Sequence, residues 1–237
     1  MDLKSKIILI AGPTACGKSN FALKLSKKIN GEIINADSMQ VYKELKVLSA
    51  RPDPKNYKKI KHHLYGFHNV KHNFSTGDWL KLAIKKIKEL KKRKKIPIFV
   101  GGTGLYFKAL SEGLVSIPNI PFRFRDKIRA EHKKIGQIKF YKKLLKLDSI
   151  SKNKINSTDS QRTIRAYEVK KFTKKSIHNW FKDTKSNFNE DDFFKIYIDF
   201  PREELIKRIN IRTVQMIKIG AINEVKKFSK LKVRKDR

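Results

Sequence analysis

A single cysteine, Cys16, serves all 237 residues, which excludes an internal disulfide and, with no His/Cys cluster beside it, a zinc site of the usual kind. Long apolar runs are missing too: none approaches the roughly 20 residues that cross a bilayer, so no membrane partner is expected. Met1-Asp2-Leu3-Lys4 leads directly into a strand-like run instead of a signal peptide, and a cytoplasmic, monomeric enzyme is the expectation. Acid is the third scarcity. Against 57 Lys and Arg stand 22 Asp and Glu, a net charge of +35 whose field attracts polyanions, nucleic acid first among them. Yet 45 of the basic residues are Lys and only 12 are Arg, as a general lysine bias on solvated faces would give, since Arg is the usual recognition residue. Charge alone therefore leaves both readings open. What the chain does have is 39% hydrophobic residues with 15 Phe, enough for the core of one large domain or of a domain with a sizeable insertion.

Hydrophobic periodicity orders that material into an alternating pattern. Ile7 to Ala11 reads as a buried strand, and Phe21, Ala22, Leu25 and Ile29 give Lys18 to Ile29 a helical spacing. Glu32 to Asp37 reads as a second strand ending on an acid. From Asp78, the residues Trp79, Leu82, Ala83, Ile87 and Leu90 form the inner face of an amphipathic helix, and Lys91-Lys92-Arg93-Lys94-Lys95 is its charged end. Ile96 to Val100 is a third strand running into Gly101-Gly102-Thr103-Gly104. This is α/β alternation, predicting a parallel sheet with helices on both faces over residues 1–115. Residues 116–186 are basic and helical in pattern, opened by Pro118 and Pro121, and read as an all-helical insertion. Residues 187–237 return to the core: a polar linker at Asn187 to Asp192, a strand at Lys195 to Phe200, then a long helix with Leu205, Ile209, Val214, Ile217 and Val225 as apolar positions.

Between the first strand and the first helix, Gly12-Pro13-Thr14-Ala15-Cys16-Gly17-Lys18-Ser19 is a complete phosphate-binding loop. Its glycines let successive backbone N–H groups converge on phosphate oxygens, and the helix that follows adds its positive end. Lys18 supplies a mobile positive charge and Ser19 a hydroxyl for Mg²⁺. Motor and switch NTPases usually place an acid at the end of a buried strand to organise Mg²⁺ and water. Here the third strand ends in Gly101 and Gly102, which favours a group transferase over a hydrolase. Asp37 and Asp199 are the carboxylates left at strand ends. Asp37 is the better candidate for a catalytic base, with a helix N-cap or an outer-sphere partner of Mg²⁺ as its alternatives. His62 and His63 are adjacent, point in different directions and lack partners, so no metal site is expected there.

Together with that loop, four further segments resemble the tRNA isopentenyltransferase (tRNA dimethylallyltransferase) family: Asn35-Ala36-Asp37-Ser38-Met39-Gln40-Val41-Tyr42, His62-His63-Leu64, Gly101-Gly102-Thr103-Gly104-Leu105-Tyr106, and Asp159 to Glu168. The resemblance covers nearly the whole chain and implies a P-loop NTPase-like fold. It implies transfer of a dimethylallyl group from dimethylallyl diphosphate to N6 of adenosine 37 in tRNAs reading codons that begin with U. The loop Gly12, Pro13, Thr14, Ala15, Cys16, Gly17, Lys18 and Ser19 would then hold the diphosphate, with Mg²⁺ at Ser19. Asp37 would take the N6 proton, Thr103 would contact the reacting groups, and Arg212 would reach the diphosphate. Ser38, Met39 and Gln40 would meet the target base, which must be flipped from its stack. Arg125, Gln161, Arg162, Thr163, Ile164 and Arg165 would frame the anticodon stem-loop, the insertion clamping it over the crevice of the sheet. For Gln161, Arg162 and Arg165 an ordinary surface ion-pair group with Asp159 and Glu168 is the alternative. Trp180 could stack on a base, though its helical spacing reads as core.

Three positions depart from the family pattern. Cys16 stands where serine is common, Lys61 where a proline precedes the paired histidines, and the chain ends at Arg237 before the family's glycine-tyrosine motif and basic C-terminal helices. Reduced tRNA affinity is the expectation from the last. The competing readings are a P-loop kinase or isopentenyltransferase acting on free adenine nucleotides, and a non-catalytic RNA-binding ATP switch.

Overall fold

Five short strands rich in isoleucine build an all-parallel sheet: β1 (Ile7–Ala11), β2 (Gly31–Asn35), β3 (His62–His63), β4 (Ile96–Val100) and β5 (Phe193–Tyr197), in the order β3-β2-β4-β1-β5. The computed structural model describes residues 3, 5–57 and 59–233, and the chain divides into two compact units, Met1–Glu112 with Ser186–Arg237, and Gly113–Lys185. In the first unit the register sets Ile8 opposite Ile98 and Phe194, and Ile33 opposite Ile98 and His62.

Side chains alternate across the sheet, and both faces are covered. Ile7, Leu9, Ile34 and Phe99 pack with Trp79, Ala83, Ile87 and Leu90 of α2 (Thr76–Lys92) and with Tyr106 and Leu110 of α3 (Gly104–Ser111). Ile8, Ile10, Ile33 and Ile98 pack on the other face with Ala22, Leu23 and Leu25 of α1 (Lys18–Lys28). Each such aliphatic side chain, removed from water, contributes about 1.5–3 kcal/mol.

The P-loop NTPase-like α/β class is what the sequence predicts, while element limits moved for local reasons. The α2 helix starts two residues before the apolar periodicity does, because Ser75 and Asp78 form a capping box: Asp78 N–H donates to Ser75 Oγ (3.1 Å) and Ser75 N–H to Asp78 Oδ2 (3.0 Å). The expected strand at Glu32 to Asp37 ends at Asn35, where the Asn35 side chain takes over the backbone groups of Asp37. The last strand starts two residues before the expected Lys195 and ends three residues before the expected Phe200. The His62–His63 strand was not anticipated: two residues carry no alternation. The helix after Pro201 is two helices, α8 (Arg202–Lys218) and α9 (Ala221–Ser229), separated at Gly220 with φ 107°. Of its five anticipated apolar positions only Leu205 is buried; Ile209, Val214, Ile217 and Val225 are exposed.

The second unit is helical: α4 (Phe122–Ile135), α5 (Gln137–Leu147), α6 (Ser160–Thr173) and α7 (Ile177–Lys182), with no strand among its described residues. Ile128, Phe140, Leu144, Ala166, Tyr167 and Val169 form its core. Buried Asp148 accepts from Ser151 Oγ (3.1 Å) and Ser176 Oγ (2.8 Å), tying the end of α5 to the start of α7.

Candidate active site

The loop Gly12 to Ser19 joins β1 to α1, the position from which backbone N–H groups meet an anion. Gly17 sits before α1 in the left-handed region (φ 91°, ψ 10°), which glycine adopts at no steric cost, and no side chain caps the first turn of the helix. Its leading N–H groups therefore face a ligand or water. Lys18 folds back on the loop: its ammonium donates to Gly12 O (2.9 Å) and Pro13 O and lies 3.7 Å from Cys16 Sγ. A bound diphosphate offers that ammonium charged oxygens in place of neutral carbonyls. Cys16 is buried, so the loop is built on its side chain and presents its backbone.

Asp37 follows β2 at the C-terminal edge of the parallel sheet, where open α/β sheets bind ligands. Three short contacts hold Asp37, and a fourth ties Asn35 to Leu64. Asp37 N–H donates to Asn35 Oδ1 (2.9 Å), Asn35 Nδ2 donates to Asp37 O (2.9 Å) and to Leu64 O (3.0 Å), and Met39 N–H donates to Asp37 Oδ1 (2.9 Å). Asn35 is itself fully buried, with its carbonyl accepting from Trp79 Nε1 at 2.9 Å. Thr103 precedes α3 yet does not cap it; its Oγ1 accepts from Ser38 N–H (2.9 Å) and lies 3.3 Å from Ser38 Oγ. Thr103 and Ser38 thus hold each other beside Asp37.

A crevice of about 450 Å³ gathers much of the anticipated set in the first unit: Thr14, Ala15, Gly17, Lys18 and Ser19 from the loop, Asp37 and Gln40 from the segment after β2, Gly101, and Arg212 from α8. Gly12, Pro13, Cys16, Ser38, Met39 and Thr103 are not part of its lining. The crevice also holds residues that sequence reasoning missed: Ser49, Ala50, Tyr65, Arg208 and Gln215. Arg208 and Gln215 lie four before and three after Arg212, so a helical reading of that arginine would have found them. Tyr65 follows the His62-His63-Leu64 segment directly. Burial raises its phenol well above the usual value, so it stays protonated. Ser49 and Ala50 carry no local signal at all.

Around the paired histidines the sheet edge is neutral imidazole over a charged carboxylate. His63 Nε2 and Glu32 Oε2 are 2.6 Å apart, and Arg93 holds Glu32 through both nitrogens at 2.9 and 3.0 Å. Burial pushes the Glu32 carboxyl up, but the hydrogen bonds from Arg93 and His63 outweigh it and leave it below its ordinary value. Burial lowers His63 despite that carboxylate, and lowers His62, which stacks on Tyr57 at 3.6 Å. Among the described residues no group of three His, Cys, Asp or Glu could hold a metal ion.

In the second unit the anticipated RNA contacts divide. Gln161 and Arg162 are exposed on the first turn of α6, where Asp159 caps the helix through Arg162 N–H (2.9 Å) and pairs with the Arg162 guanidinium at 3.5 Å. Thr163 is turned inward: it is fully buried, donates to Asp159 O (2.6 Å) and accepts from Gln137 (3.1 Å), so its side chain serves the scaffold instead of facing RNA. Ile164 packs on the core of the unit. Arg125 (3.4 Å), Arg129 (3.5 Å) and Arg165 (3.7 Å) surround Glu168, whose side chain is 1% exposed, so this is a buried carboxylate under three guanidinium groups instead of a surface pair. Trp180 is half-buried, donating to Thr173 Oγ1 (3.1 Å) with Lys175 over its ring.

No helix among the described residues is long and apolar enough to cross a membrane. The family model for IPP transferase matches residues 40–237. The tRNA dimethylallyltransferase of Pelagibacter ubique is 62% identical over 236 residues, covering 100% of this chain and 75% of that protein. That of Rickettsia massiliae is 45% identical, covering 98% and 64%. Among solved structures, a eukaryotic dimethylallyltransferase acting on tRNA superposes with a TM-score of 0.81 at 28% identity, covering 97% of this chain and 58% of that one. A full-length tRNA isopentenylpyrophosphate transferase from Bacillus halodurans gives 0.64 at 30%, covering 98% and 72%. With a phosphate-binding loop, a strand-end carboxylate and a basic helical unit on one chain, and with these relatives, the protein belongs to the IPP transferase family of tRNA-modifying prenyltransferases.

Proposed function

We propose that the chain transfers a dimethylallyl group from dimethylallyl diphosphate to N6 of adenosine 37 in tRNAs that read codons beginning with U, in the cytoplasm and as a monomer. One observation carries the reading: a single crevice is lined by Lys18 and Ser19 of the phosphate-binding loop, by Arg212, and by the carboxylate of Asp37. A receptor for negative charge and an acceptor of a proton thus share one space. The diphosphate lies against the loop N–H groups, with Lys18 and Arg212 neutralising the charge that grows as the allylic C–O bond breaks. The adenine N6 lone pair forms the new C–N bond, and the N6 proton passes to Asp37 Oδ. Thr103 and Ser38 hold the Asp37 segment, and Gln40 lines the acceptor side.

The donor set fits Mg²⁺, which takes one or two protein oxygens, the rest coming from phosphate and water: the Ser19 hydroxyl is exposed on the first turn of α1 and lines the crevice. When bound there it supplies further charge neutralisation of the leaving diphosphate. Gln161, Arg162 and Arg165, with Arg125, are the groups offered to the anticodon stem-loop.

The test is incubation of the chain with labelled dimethylallyl diphosphate and unmodified tRNA bearing adenosine 37, in parallel with AMP and with ATP alone. Label on tRNA is the expected result. Label on AMP but not on tRNA points to the free-nucleotide transferase, and ATP hydrolysis stimulated by RNA with no label transferred points to the switch.

A further inference from the structure

A carboxylate on α9 holds a turn whose far end lines the crevice. Glu224, in the first turns of α9, accepts three successive backbone N–H groups: Lys46 (2.9 Å) and Val47 (2.8 Å) on Oε2, and Leu48 (2.9 Å) on Oε1. Residues 45–51 form one compact turn, closed by Ala50 N–H to Val47 O (2.9 Å) and Arg51 N–H to Lys46 O (3.1 Å). Its leading N–H groups have no partners within the turn, and an anion at that end satisfies them. The trailing carbonyls are used as well. Gln40 Nε2 donates to Ser49 O (2.9 Å) and Ala50 O (3.4 Å). Glu224 therefore anchors one end of the turn and Gln40 is anchored by the other, across a sequence separation of 178 residues between Glu224 and Lys46.

The consequence is positional. Gln40, Ser49 and Ala50 line the crevice on one side while Arg208, Arg212 and Gln215 of α8 line it too, and α9 follows α8 directly. A carboxylate that ties α9 to the turn fixes the spacing between these two sets. We propose that Glu224 is a positioning residue for the acceptor: it sets where Gln40 stands, and so governs how tightly the acceptor base is held, with no contact to the reacting atoms. This rests on the reading above, in which the Asp37 to Gln40 segment meets the acceptor base and the loop Gly12 to Ser19 meets the diphosphate.

Four variants of the 237-residue chain test it: Glu224→Ala, Glu224→Gln, Glu224→Asp, and Glu203→Gln as a control that removes an exposed charge from α8 without touching the turn. The readouts are hydrogen exchange at the amides of residues 46–48, binding of an unmodified anticodon stem-loop, binding of inorganic diphosphate with Mg²⁺, and kcat and KM for the stem-loop. In Glu224→Ala the three amides should exchange at least about tenfold faster, with stem-loop Kd and KM raised about tenfold and diphosphate affinity unchanged within about twofold. Glu224→Gln keeps one acceptor oxygen but turns an NH₂ toward the donors, so it should fall between Ala and wild type; Glu203→Gln should match wild type. Faster exchange with unchanged stem-loop Kd and KM overturns the proposal, as does parallel loss of stem-loop and diphosphate binding in Glu224→Gln and Glu224→Asp, which marks a general loss of fold. A wild-type chain that binds the stem-loop but prenylates nothing refutes the transfer reading alone, because the binding comparison still decides the role of Glu224. A wild-type chain that does not bind the stem-loop overturns both.

Discussion

Replacing Gly101 by alanine should damage the fold and the chemistry together, because the backbone after β4 passes against the backbone after β2. A Cβ built on Gly101 would lie 2.0 Å from Ala36 O, 2.1 Å from Ala36 C and 2.8 Å from Ala36 Cα. Ordinary carbon contacts begin near 3.4 Å, so the two segments must part by about 1.4 Å, and the obstacle is main chain that has no rotamer to change. Parting them strains two hydrogen bonds that join these segments, Ala36 N–H to Val100 O (2.8 Å) and Thr103 N–H to Ala36 O (3.2 Å). Two weakened buried hydrogen bonds at about 1 kcal/mol each, with about 1–3 kcal/mol for overpacking, put the loss near 3–5 kcal/mol. Asp37 and Thr103 each adjoin a displaced segment, and an error of about 1 Å in a reacting group costs on the order of a hundredfold in rate. Urea denaturation followed by circular dichroism reads the first effect, and single-turnover transfer of labelled prenyl group to stem-loop, at a urea-free temperature where the variant is folded, reads the second. Gly102→Ala is the internal control, since its Cβ meets nothing nearer than 4.0 Å. A Gly101→Ala chain within about 1 kcal/mol of wild type and turning over within about threefold would refute the argument from close approach.

Three other perturbations separate parts of the site. Asp37→Asn keeps the size and the acceptor to Met39 N–H but cannot take a proton, so single-turnover transfer should fall by about 10²–10⁴ with diphosphate binding unchanged; a variant that keeps the wild-type rate rules Asp37 out as base. Glu168→Ala leaves Arg125, Arg129 and Arg165 facing one another, and the Gly113–Lys185 unit should lose about 2–3 kcal/mol, less than a fully buried pair because the arginines are about a third exposed. Sulfate should restore part of that loss by standing in for the carboxylate, and a melting temperature insensitive to both the mutation and sulfate contradicts the ion cluster. Acid should destabilise the chain in two stages. His62 and His63 have folded values below the usual 6.5, so the unfolded chain binds their protons first and stability falls as pH drops below about 6.5, by at most about 1.4 kcal/mol per pH unit per proton. Glu32, lowered below 4.5 by its partners, adds a loss as pH falls from about 4.5 through its folded value. Melting temperatures from pH 7.5 to 5.5 that do not fall, or a His63→Gln chain with the wild-type slope, would contradict the first stage.

Which of these residues could be read in advance follows from how far their determinants lie along the chain. The phosphate-binding loop was legible because its glycines, Lys18 and Ser19 stand within a spacing of eight residues, and the three five-residue strands β1, β2 and β4 were legible because burial on both faces leaves continuous isoleucine-rich runs. The His62–His63 strand was not, since two residues joined to β2 by register carry no period of their own. Helical periodicity gave the existence of α6 and α8 but not the orientation of their faces. Thr163 faces inward because Gln137 and the Asp159 carbonyl meet it there, and Ile209, Val214 and Ile217 stay exposed because none of them joins a buried cluster. Glu168 and Glu224 mark the limit. One reads locally as a surface partner of Arg165, the other as one more helix carboxylate in a strongly basic chain; the first gains its role from arginines 39 and more residues away and the second from amides near residue 46. A charged side chain whose partners are this distant has no signal in spacing or composition, yet these are the contacts that set how rigidly the legible residues are held. Neither carboxylate lines the crevice, so loss of either should change binding and stability before it changes the chemical step, whereas substitutions at Lys18 and Asp37, which do line it, should change the chemical step itself.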